Sequence, residues 1–218
     1  MIRAVIFDLD GCLVDSEPMA LEVLGEEMAA EGAPTSAEEL RKRFLGVSIQ
    51  SVVDHITRFT RRAVLPDFPR RFEDRLLARY DTELRLIPGA TALLDALQAQ
   101  GIGMAIATGG SLRRLEVTLR VSGLERYFTG HAFSADQVRQ GKPAPDLFLF
   151  AAERMGVDPA HALVIEDSQP GLQAARAAGM RVLQYRGGAH LAGQPATDEG
   201  FDCWSQFPDL LARIQVPA

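Results

Sequence analysis

The chain has 218 residues, of which 47% are hydrophobic and 24% are charged, and this composition argues against a disordered, collagen-like or low-complexity protein. The formal net charge of -6 argues against general binding to nucleic acids or anionic membranes, because both depend on clusters of lysine and arginine. The two cysteines, Cys12 and Cys203, lie far apart without a CxxC pair, so we predict neither a disulfide framework nor a zinc site and expect a cytoplasmic protein.

Short apolar stretches predict buried strands. The first covers residues 2–9 and ends at Asp10-Gly11, and its apolar part is too short for a secretory signal. Similar stretches cover residues 102–107, 162–165 and 181–185. Because nearly all their residues are apolar, they are typical of parallel strands that are covered on both faces. No run of 18 apolar residues occurs, so we expect no membrane span.

Helical patterns separate the later strands. They run from Pro88 to Gly101, from Ser111 to Val121, from Pro145 to Met155 and from Pro170 to Ala178. The alternation of strand and helix from residue 88 to residue 185 predicts a doubly wound α/β fold with a parallel, Rossmann-like sheet. After Gly187 we expect a loop, which includes Gly193 and Pro195, and then a short terminal helix.

A segment without a convincing strand lies between Asp15 and about Leu84. Its apolar residues recur at helical spacing in four sets, around Leu24, Leu40 and Val52 and then around Leu76. This pattern predicts a small helical bundle inserted after the first strand. We therefore divide the chain into an α/β core domain, residues 1–15 and 85–218, and an α-helical cap domain, residues 16–84. Since α/β proteins bind ligands beyond the carboxyl ends of their strands, we expect the insertion to act as a lid.

The charges of this insertion are segregated. Seven acidic residues and no basic residue fall between Glu17 and Glu39, whereas seven arginines fall between Arg58 and Arg79. We expect most of these arginines on a solvated helix face, and one or two of them could face an anionic substrate.

Four polar clusters follow predicted strands, at the edge where an open α/β sheet places its binding site. In the first cluster, Asp8 and Asp10 stand two residues apart at the end of a strand, so both carboxylates leave it on the same side. A buried pair of like charges is costly unless a cation or a proton neutralises it. In the last cluster, Glu166 and Asp167 form a second acidic pair, and carboxylate oxygens are the ligands that Mg²⁺ prefers.

The other two clusters suit an anion. Thr108, Gly109 and Gly110 combine a hydroxyl with backbone N–H groups at the start of a helix. Lys142 lies on a loop between glycine and proline. Taken one at a time, each of the four clusters also has a purely structural interpretation, as a helix cap or turn or, for Lys142, as an exposed surface lysine.

The histidines and the common cofactor-binding and hydrolase motifs do not indicate a second functional site. The histidines show no metal-ligand spacing, and we expect each of them at the surface or at a helix cap. They are His55, His131, His161 and His190. The chain has no dinucleotide fingerprint, Walker loop or GxSxG elbow.

Together the four clusters resemble the motifs of the haloacid dehalogenase-like phosphotransferases, and the resemblance covers nearly the whole chain. The first motif runs from Asp8 to Glu17, the second corresponds to Thr108, the third to Lys142 and the fourth to the pair Glu166-Asp167. The helical insertion resembles the small α-helical cap of the β-phosphoglucomutase-like subgroup.

The resemblance implies a role for each acidic residue. Asp8 would be the nucleophile that accepts the phosphoryl group, and Asp10 would protonate the leaving alcohol and then activate water. Mg²⁺ would be held by Asp8, the backbone carbonyl of Asp10 and Asp167, with Glu166 close to the ion or coordinating it. These roles agree with general chemistry, because a covalent aspartyl phosphate divides one difficult hydrolysis into two easier steps.

The resemblance also implies a phosphate site. Thr108 and the catalytic cation Lys142 would hold phosphoryl oxygens, together with the backbone of Gly11, Gly109 and Gly110. The pair Gly109-Gly110 departs from the family, which more often carries Asn or Ser there. A side-chain contact is therefore lost, and binding is left to backbone N–H groups.

Two positions favour hydrolysis over a mutase reaction. Ala20 stands where the mutases of the subgroup carry a histidine, and Ile49 stands where they carry a phosphate-binding arginine. Lys42 and Arg43 lie in a segment that is similar to the bacterial 6-phosphogluconate phosphatases. Arg43 and Lys42 are therefore candidate contacts for a substrate carboxylate or hydroxyls, although both side chains could also be solvated.

We therefore expect a monomeric, Mg²⁺-dependent phosphatase that hydrolyses a small phosphorylated metabolite, such as 6-phosphogluconate, through an aspartyl phosphate. The alternatives are a β-phosphoglucomutase-type mutase and a non-catalytic phosphoaspartate switch. The presence of a cap and of Asp10 argues against a switch, which needs neither. A haloacid dehalogenase would need neither Asp10 nor Mg²⁺, so the intact Asp8-Leu9-Asp10 sequence argues against it.

Overall fold

The computed structural model describes residues 1–191 and 199–215. The chain divides into two compact units, which we name the α/β unit (Met1–Asp15 with Arg85–Ala218) and the helical unit (Ser16–Leu84). Gly193 and Pro195, for which the sequence predicts a loop, lie outside the described residues. Among the residues that are described, no helix has both the length and the apolar character that a membrane crossing requires.

The helical unit, all of whose residues are described, is built from four helices. They are α1 (Glu17–Ala30), α2 (Ala37–Phe44), α3 (Ile49–Thr60) and α4 (Phe68–Glu83). Ser36 and Ser48 cap α2 and α3, because each side chain accepts a hydrogen bond from the backbone N–H three residues further on. The apolar residues at helical spacing meet in one core, which includes Leu24, Leu40, Val52, Ile56 and Phe68.

The segregated charges of the helical unit meet between α1 and α4. Glu27 of α1 is almost fully buried, and it accepts hydrogen bonds from Arg71 at 3.1 Å and from Arg75 at 2.8 Å. Arg71 also reaches Glu31 at 2.6 Å, and Arg79 reaches Glu22 at 2.9 Å. These three arginines of α4 therefore pair with acids of their own unit.

Within the described residues, six parallel strands form one sheet. They are β1 (Ala4–Phe7), β2 (Gly103–Thr108), β3 (Ala132–Ser134), β4 (Ala162–Glu166), β5 (Arg181–Tyr185) and β6 (Gly200–Phe201). Their order across the sheet is β3-β2-β1-β4-β5-β6, with β1 between β2 and β4. The sequence did not predict β3 and β6, because strands of three and two residues are too short to show a hydrophobic pattern.

Helices cover both sides of this sheet. They are α5 (Ala90–Ala99), α6 (Leu112–Ser122), α7 (Glu125–Phe128), α8 (Asp146–Met155), α9 (Gln169–Ala177) and α10 (Phe207–Gln215). Ile6, Val164, Phe148 and Ala174 belong to a fully buried core that β1 and β4 share with α8 and α9. The doubly wound α/β fold that the sequence predicts is confirmed.

An aromatic cluster supports the end of β1. Trp204 is buried, and its ring stacks on Tyr185 with a centroid distance of 4.8 Å and an angle of 10° between the ring planes. Phe7 contacts the same indole edge-on at 5.9 Å. The indole Nε1–H donates to the carbonyl oxygen of Cys12 at 3.1 Å, so the cluster is bonded to the backbone of the first motif.

Candidate active site

The first motif turns sharply where β1 ends. The backbone N–H of Asp8 still donates to Ile165 of the neighbouring strand at 2.9 Å, and the N–H of Gly11 donates to the carbonyl of Val14 at 2.9 Å. Gly11 has a φ of +77°, a conformation that favours glycine, and a side chain there would collide with the carboxylate of Asp167. The N–H of Gly11 is already bonded to Val14, so it is not available to a ligand. Gly11 contributes instead the space at the strand ends that the carboxylate of Asp167 occupies.

A buried lysine joins the two acidic pairs. The Nζ of Lys142 lies 2.5 Å from Oδ1 of Asp8 and 2.5 Å from Oε1 of Glu166. The other oxygen of Glu166 accepts hydrogen bonds from the N–H of Ser168 at 2.8 Å and from its hydroxyl at 2.9 Å. The Lys142 side chain is 8% exposed, so its interpretation as a surface lysine does not hold.

Burial and charge change the ionisation of this pair. Burial raises the pKa of Asp8 well above its usual value, and the nearby carboxylates of Glu166, Asp167 and Asp10 raise it further, while Lys142 opposes the shift. For Lys142, burial alone would lower the pKa, but the carboxylates of Asp8 and Glu166 together raise it. Lys142 therefore keeps its positive charge beside Asp8.

Asp10 is held by two donors. The guanidinium of Arg114 donates from Nη2 to Oδ1 at 2.7 Å, and the hydroxyl of Thr108 donates to Oδ2 at 3.3 Å. The N–H of Gly110 in turn donates to the Thr108 oxygen at 3.0 Å. A side chain at Gly109 would meet no atom within 4 Å, so this side of the loop is open.

Arg114 is a residue that sequence reasoning missed. It lies in the first turn of α6, where its N–H bonds to the capping oxygen of Ser111 at 3.0 Å. Its position directly after the second motif was a usable signal. The sequence alone, however, does not distinguish it from its exposed neighbour Arg113.

His190 is a second missed residue, and the expectation that it lies at the surface or at a helix cap is wrong. Its side chain is 1% exposed, and its Nε2 lies 2.7 Å from Oδ2 of Asp167. It follows the carboxyl end of β5, and Asp167 follows the end of the neighbouring strand β4. That location after a predicted strand was the signal that could have identified it.

Arg43 belongs to the helical unit. Its Nη2 lies 3.2 Å from Nδ1 of His55, and its guanidinium lies over the ring of Phe44 at 5.8 Å from the centroid. Both Arg43 and Lys42 are exposed. Their role as substrate contacts stays a prediction.

The charged residues at the strand ends fit a hard divalent cation. Ligand atoms of Asp8, Cys12 and Asp167 all lie within 4.8 Å of one another. When all groups are ionised, the four carboxylates described above (Asp8, Asp10, Glu166 and Asp167) outnumber the two cations Lys142 and Arg114 and leave two negative charges. Burial raises the pKa of the Cys12 thiol, so the available ligands are the carboxylate oxygens that suit Mg²⁺.

Comparisons with known proteins identify the family of the chain. Residues 2–179 match a family model described as haloacid dehalogenase-like hydrolase. The chain is 33% identical to the phosphorylated carbohydrates phosphatase of Thermotoga maritima over 82% of each chain. It is 30% identical to the 6-phosphogluconate phosphatase of Escherichia coli over 87% of this chain and 85% of that protein.

A solved structure is similar as well. A conserved haloacid dehalogenase-like protein of unknown function from Agrobacterium tumefaciens superposes with a TM-score of 0.83 at 30% identity, covering 99% of this chain and all of that one. The family resemblance that the motifs carry is thereby confirmed. The chain belongs to the haloacid dehalogenase-like hydrolases and is an enzyme of the phosphoric monoester hydrolase class.

Proposed function

We propose that this enzyme is a Mg²⁺-dependent phosphatase that hydrolyses a small sugar phosphate, such as 6-phosphogluconate, through an aspartyl phosphate on Asp8. The observation that carries the proposal is the buried carboxylate of Asp8, which lies 2.5 Å from the ammonium group of Lys142 and beside a second acidic pair. Such a carboxylate, with its charge balanced by cations, suits attack on a phosphate dianion.

Asp8 and Asp10 divide the chemistry between them. A carboxylate oxygen of Asp8 attacks phosphorus, the bond from phosphorus to the alcohol oxygen breaks, and Asp10, which enters this step in its protonated form, gives its proton to that oxygen. Asp10 then takes a proton from water while the water oxygen attacks the same phosphorus. Inorganic phosphate leaves, and the Asp8 carboxylate is restored. Proton transfer of this kind contributes about 10²–10⁴-fold to the rate.

The cation site uses the acidic residues of both pairs. Asp8, the backbone carbonyl of Asp10 and Asp167 would hold Mg²⁺, with Glu166 close by. When bound, the ion would neutralise part of the negative charge of the phosphate and so reduce its repulsion from these carboxylates. Lys142, the Thr108 hydroxyl and the backbone at Gly109 and Gly110 would bind the phosphoryl oxygens, and Gly11 leaves the space that the carboxylate of Asp167 occupies.

The sugar phosphate class rests on two relatives. The Thermotoga maritima and Escherichia coli enzymes are named for phosphorylated carbohydrates and for 6-phosphogluconate. Ala20 and Ile49, where the mutases of the subgroup have a histidine and an arginine, support transfer to water and not to a second sugar.

We extend the proposal to the helical unit, to which we assign the role of a substrate-selecting cap with Arg43 as a contact for the sugar part. Arg43→Ala should then raise KM for the preferred substrate, and Arg41→Ala, at an exposed arginine of the same helix, is the matched control. An unchanged KM in Arg43→Ala would remove Arg43 from the site. The cytoplasmic location and the monomeric state stay predictions from the sequence.

A phosphate-release screen tests the activity. The panel contains sugar phosphates, 6-phosphogluconate, nucleotides and phosphoglycolate, each with Mg²⁺ and with EDTA, and β-glucose 1-phosphate with its bisphosphate primer as the mutase control. We expect Mg²⁺-dependent release from sugar phosphates and no conversion of the primed control. Asp8→Asn should abolish release while circular dichroism stays unchanged. Release that survives EDTA or Asp8→Asn would overturn the proposal.

A further inference from the structure

The imidazole of His190 occupies a closed position beside the acidic residues. It follows β5, and its Nε2 lies 2.7 Å from Oδ2 of Asp167, which follows β4. The side chains of His190 and Asp167 are 1% and 7% exposed. A buried contact of this length between an imidazole nitrogen and a carboxylate is a hydrogen bond in which Nε2–H donates.

Two glycines leave the space that this ring fills. A side chain at Gly188 would collide with the imidazole, and one at Gly11 would collide with both the imidazole and the carboxylate of Asp167. The N–H of Leu191 donates to the carbonyl of Gly188 at 3.0 Å, which closes a tight turn around His190. The backbone on both sides therefore fixes the direction in which Nε2 points.

We propose that His190 is a positioning residue, which holds the carboxylate of Asp167 in the orientation that Mg²⁺ binding needs. The inference rests on the proposed function, because it assumes that Asp167 binds the cation. One carboxylate oxygen accepts the hydrogen bond from His190, and the group can then turn less freely. Partners that orient metal ligands in this way typically change metal affinity about 10–100-fold when they are removed.

Substitutions at His190 separate this role from simple packing. His190→Leu fills much of the same space without a donor. His190→Gln places an amide N–H near the position of Nε2 and can restore the bond to Asp167. His131→Leu is the matched control, because His131 is an exposed histidine of the same unit.

Isothermal titration calorimetry of Mg²⁺ into the four proteins tests the inference. We expect the Kd of His190→Leu to rise about 10–100-fold, that of His190→Gln to stay close to the wild-type value because its amide N–H can replace the lost donor, and that of His131→Leu to be unchanged. The Mg²⁺ concentration for half-maximal phosphate release should shift in the same order. If His190→Leu does not fold, His190→Gln is compared with His190→Asn. The shorter amide of Asn lies near the position of Nδ1 and cannot reach Asp167, so only His190→Asn should lose affinity for Mg²⁺.

Two outcomes overturn the inference alone. One is a wild-type Kd in His190→Leu, and the other is an equal loss of affinity in the Leu and Gln variants, since packing would then explain both. If the wild-type protein does not bind Mg²⁺, or binds it as well after Asp167→Asn, the proposed function fails and the inference fails with it.

Discussion

The guanidinium of Arg114 donates to the carboxylate of Asp10 across 2.7 Å, although the two residues are 104 positions apart in the chain. Their side chains are only 15% and 12% exposed, so water competes weakly for this ion pair. Thr108 bonds to the second oxygen of the same carboxylate. The proposed acid and base therefore has both oxygens engaged before substrate binds, and its orientation is set by α6 and by the end of β2.

Replacing Arg114 should slow turnover without unfolding the enzyme. A hydrogen bond to a charged group contributes about 1.5–3 kcal/mol, which corresponds to a loss of kcat of about 10–100-fold in Arg114→Leu. Steady-state phosphate release measures this effect. Arg113→Leu changes the exposed neighbour and should leave kcat within about 2-fold of wild type. Equal rates in both variants would show that Arg114 does not orient Asp10.

Lys142 should be needed for stability as well as for turnover. In Lys142→Met the buried carboxylates of Asp8 and Glu166 lose the cation that they share, and breaking a buried ion pair in this way costs about 3–5 kcal/mol. Urea unfolding of the metal-free protein measures the loss. The double variant Lys142→Met/Glu166→Gln removes one of the stranded charges and should recover part of it. A single variant as stable as wild type would contradict the shared-cation arrangement.

In the helical unit, two adjacent arginines should differ in their contribution to stability. Arg71 bonds to the buried Glu27 and to Glu31, whereas Arg70 makes one ion pair, with Asp74 at 3.5 Å, and its side chain is 83% exposed. We expect Arg71→Ala to lower the free energy of unfolding by about 1–3 kcal/mol and Arg70→Ala by less than about 0.5 kcal/mol. Urea denaturation of both variants compares them, and equal losses would mean that the pairing with α1 contributes nothing.

Tyr185 should make the protein sensitive to alkaline pH. Burial, together with the smaller effect of nearby acidic groups, raises the pKa of its hydroxyl from 10.0 to about 12. Since the unfolded chain loses this proton near pH 10, the stabilisation is complete below pH 10 and is lost as the pH rises to about 12. Tyr185→Phe should therefore lose less stability than wild type across this interval. Urea unfolding at a series of pH values measures the difference, and identical slopes would refute it.

The sequence predicts the site residues that directly follow an apolar stretch, because the end of that stretch marks the end of a strand. Asp8 and Asp10 end an apolar stretch, and Glu166 and Asp167 end another, so their meeting at one sheet edge follows from parallel pairing. His190 also follows a predicted strand, but its contact with Asp167 depends on the turn at Gly188, which the sequence does not indicate.

Arrangements between helices were also beyond the sequence. The acids of α1 and the arginines of α4 form two separate groups along the chain, and their pairing depends on how the two helices pack. Arg113 and Arg114 are identical in type and adjacent, and only the rotation of α6 decides which of them reaches Asp10. Contacts of this kind depend on how the helices pack in three dimensions, and no periodic pattern in the sequence indicates them.

The indole of Trp204 gives the protein an intrinsic optical probe. It is the chain's one tryptophan, and its Nε1–H is bonded to the carbonyl of Cys12, two residues beyond Asp10. A change in that backbone segment alters the polarity and hydrogen bonding around the fluorophore. We therefore expect the binding of a cation or a phosphate analogue at this sheet edge to change the emission of the unlabelled enzyme.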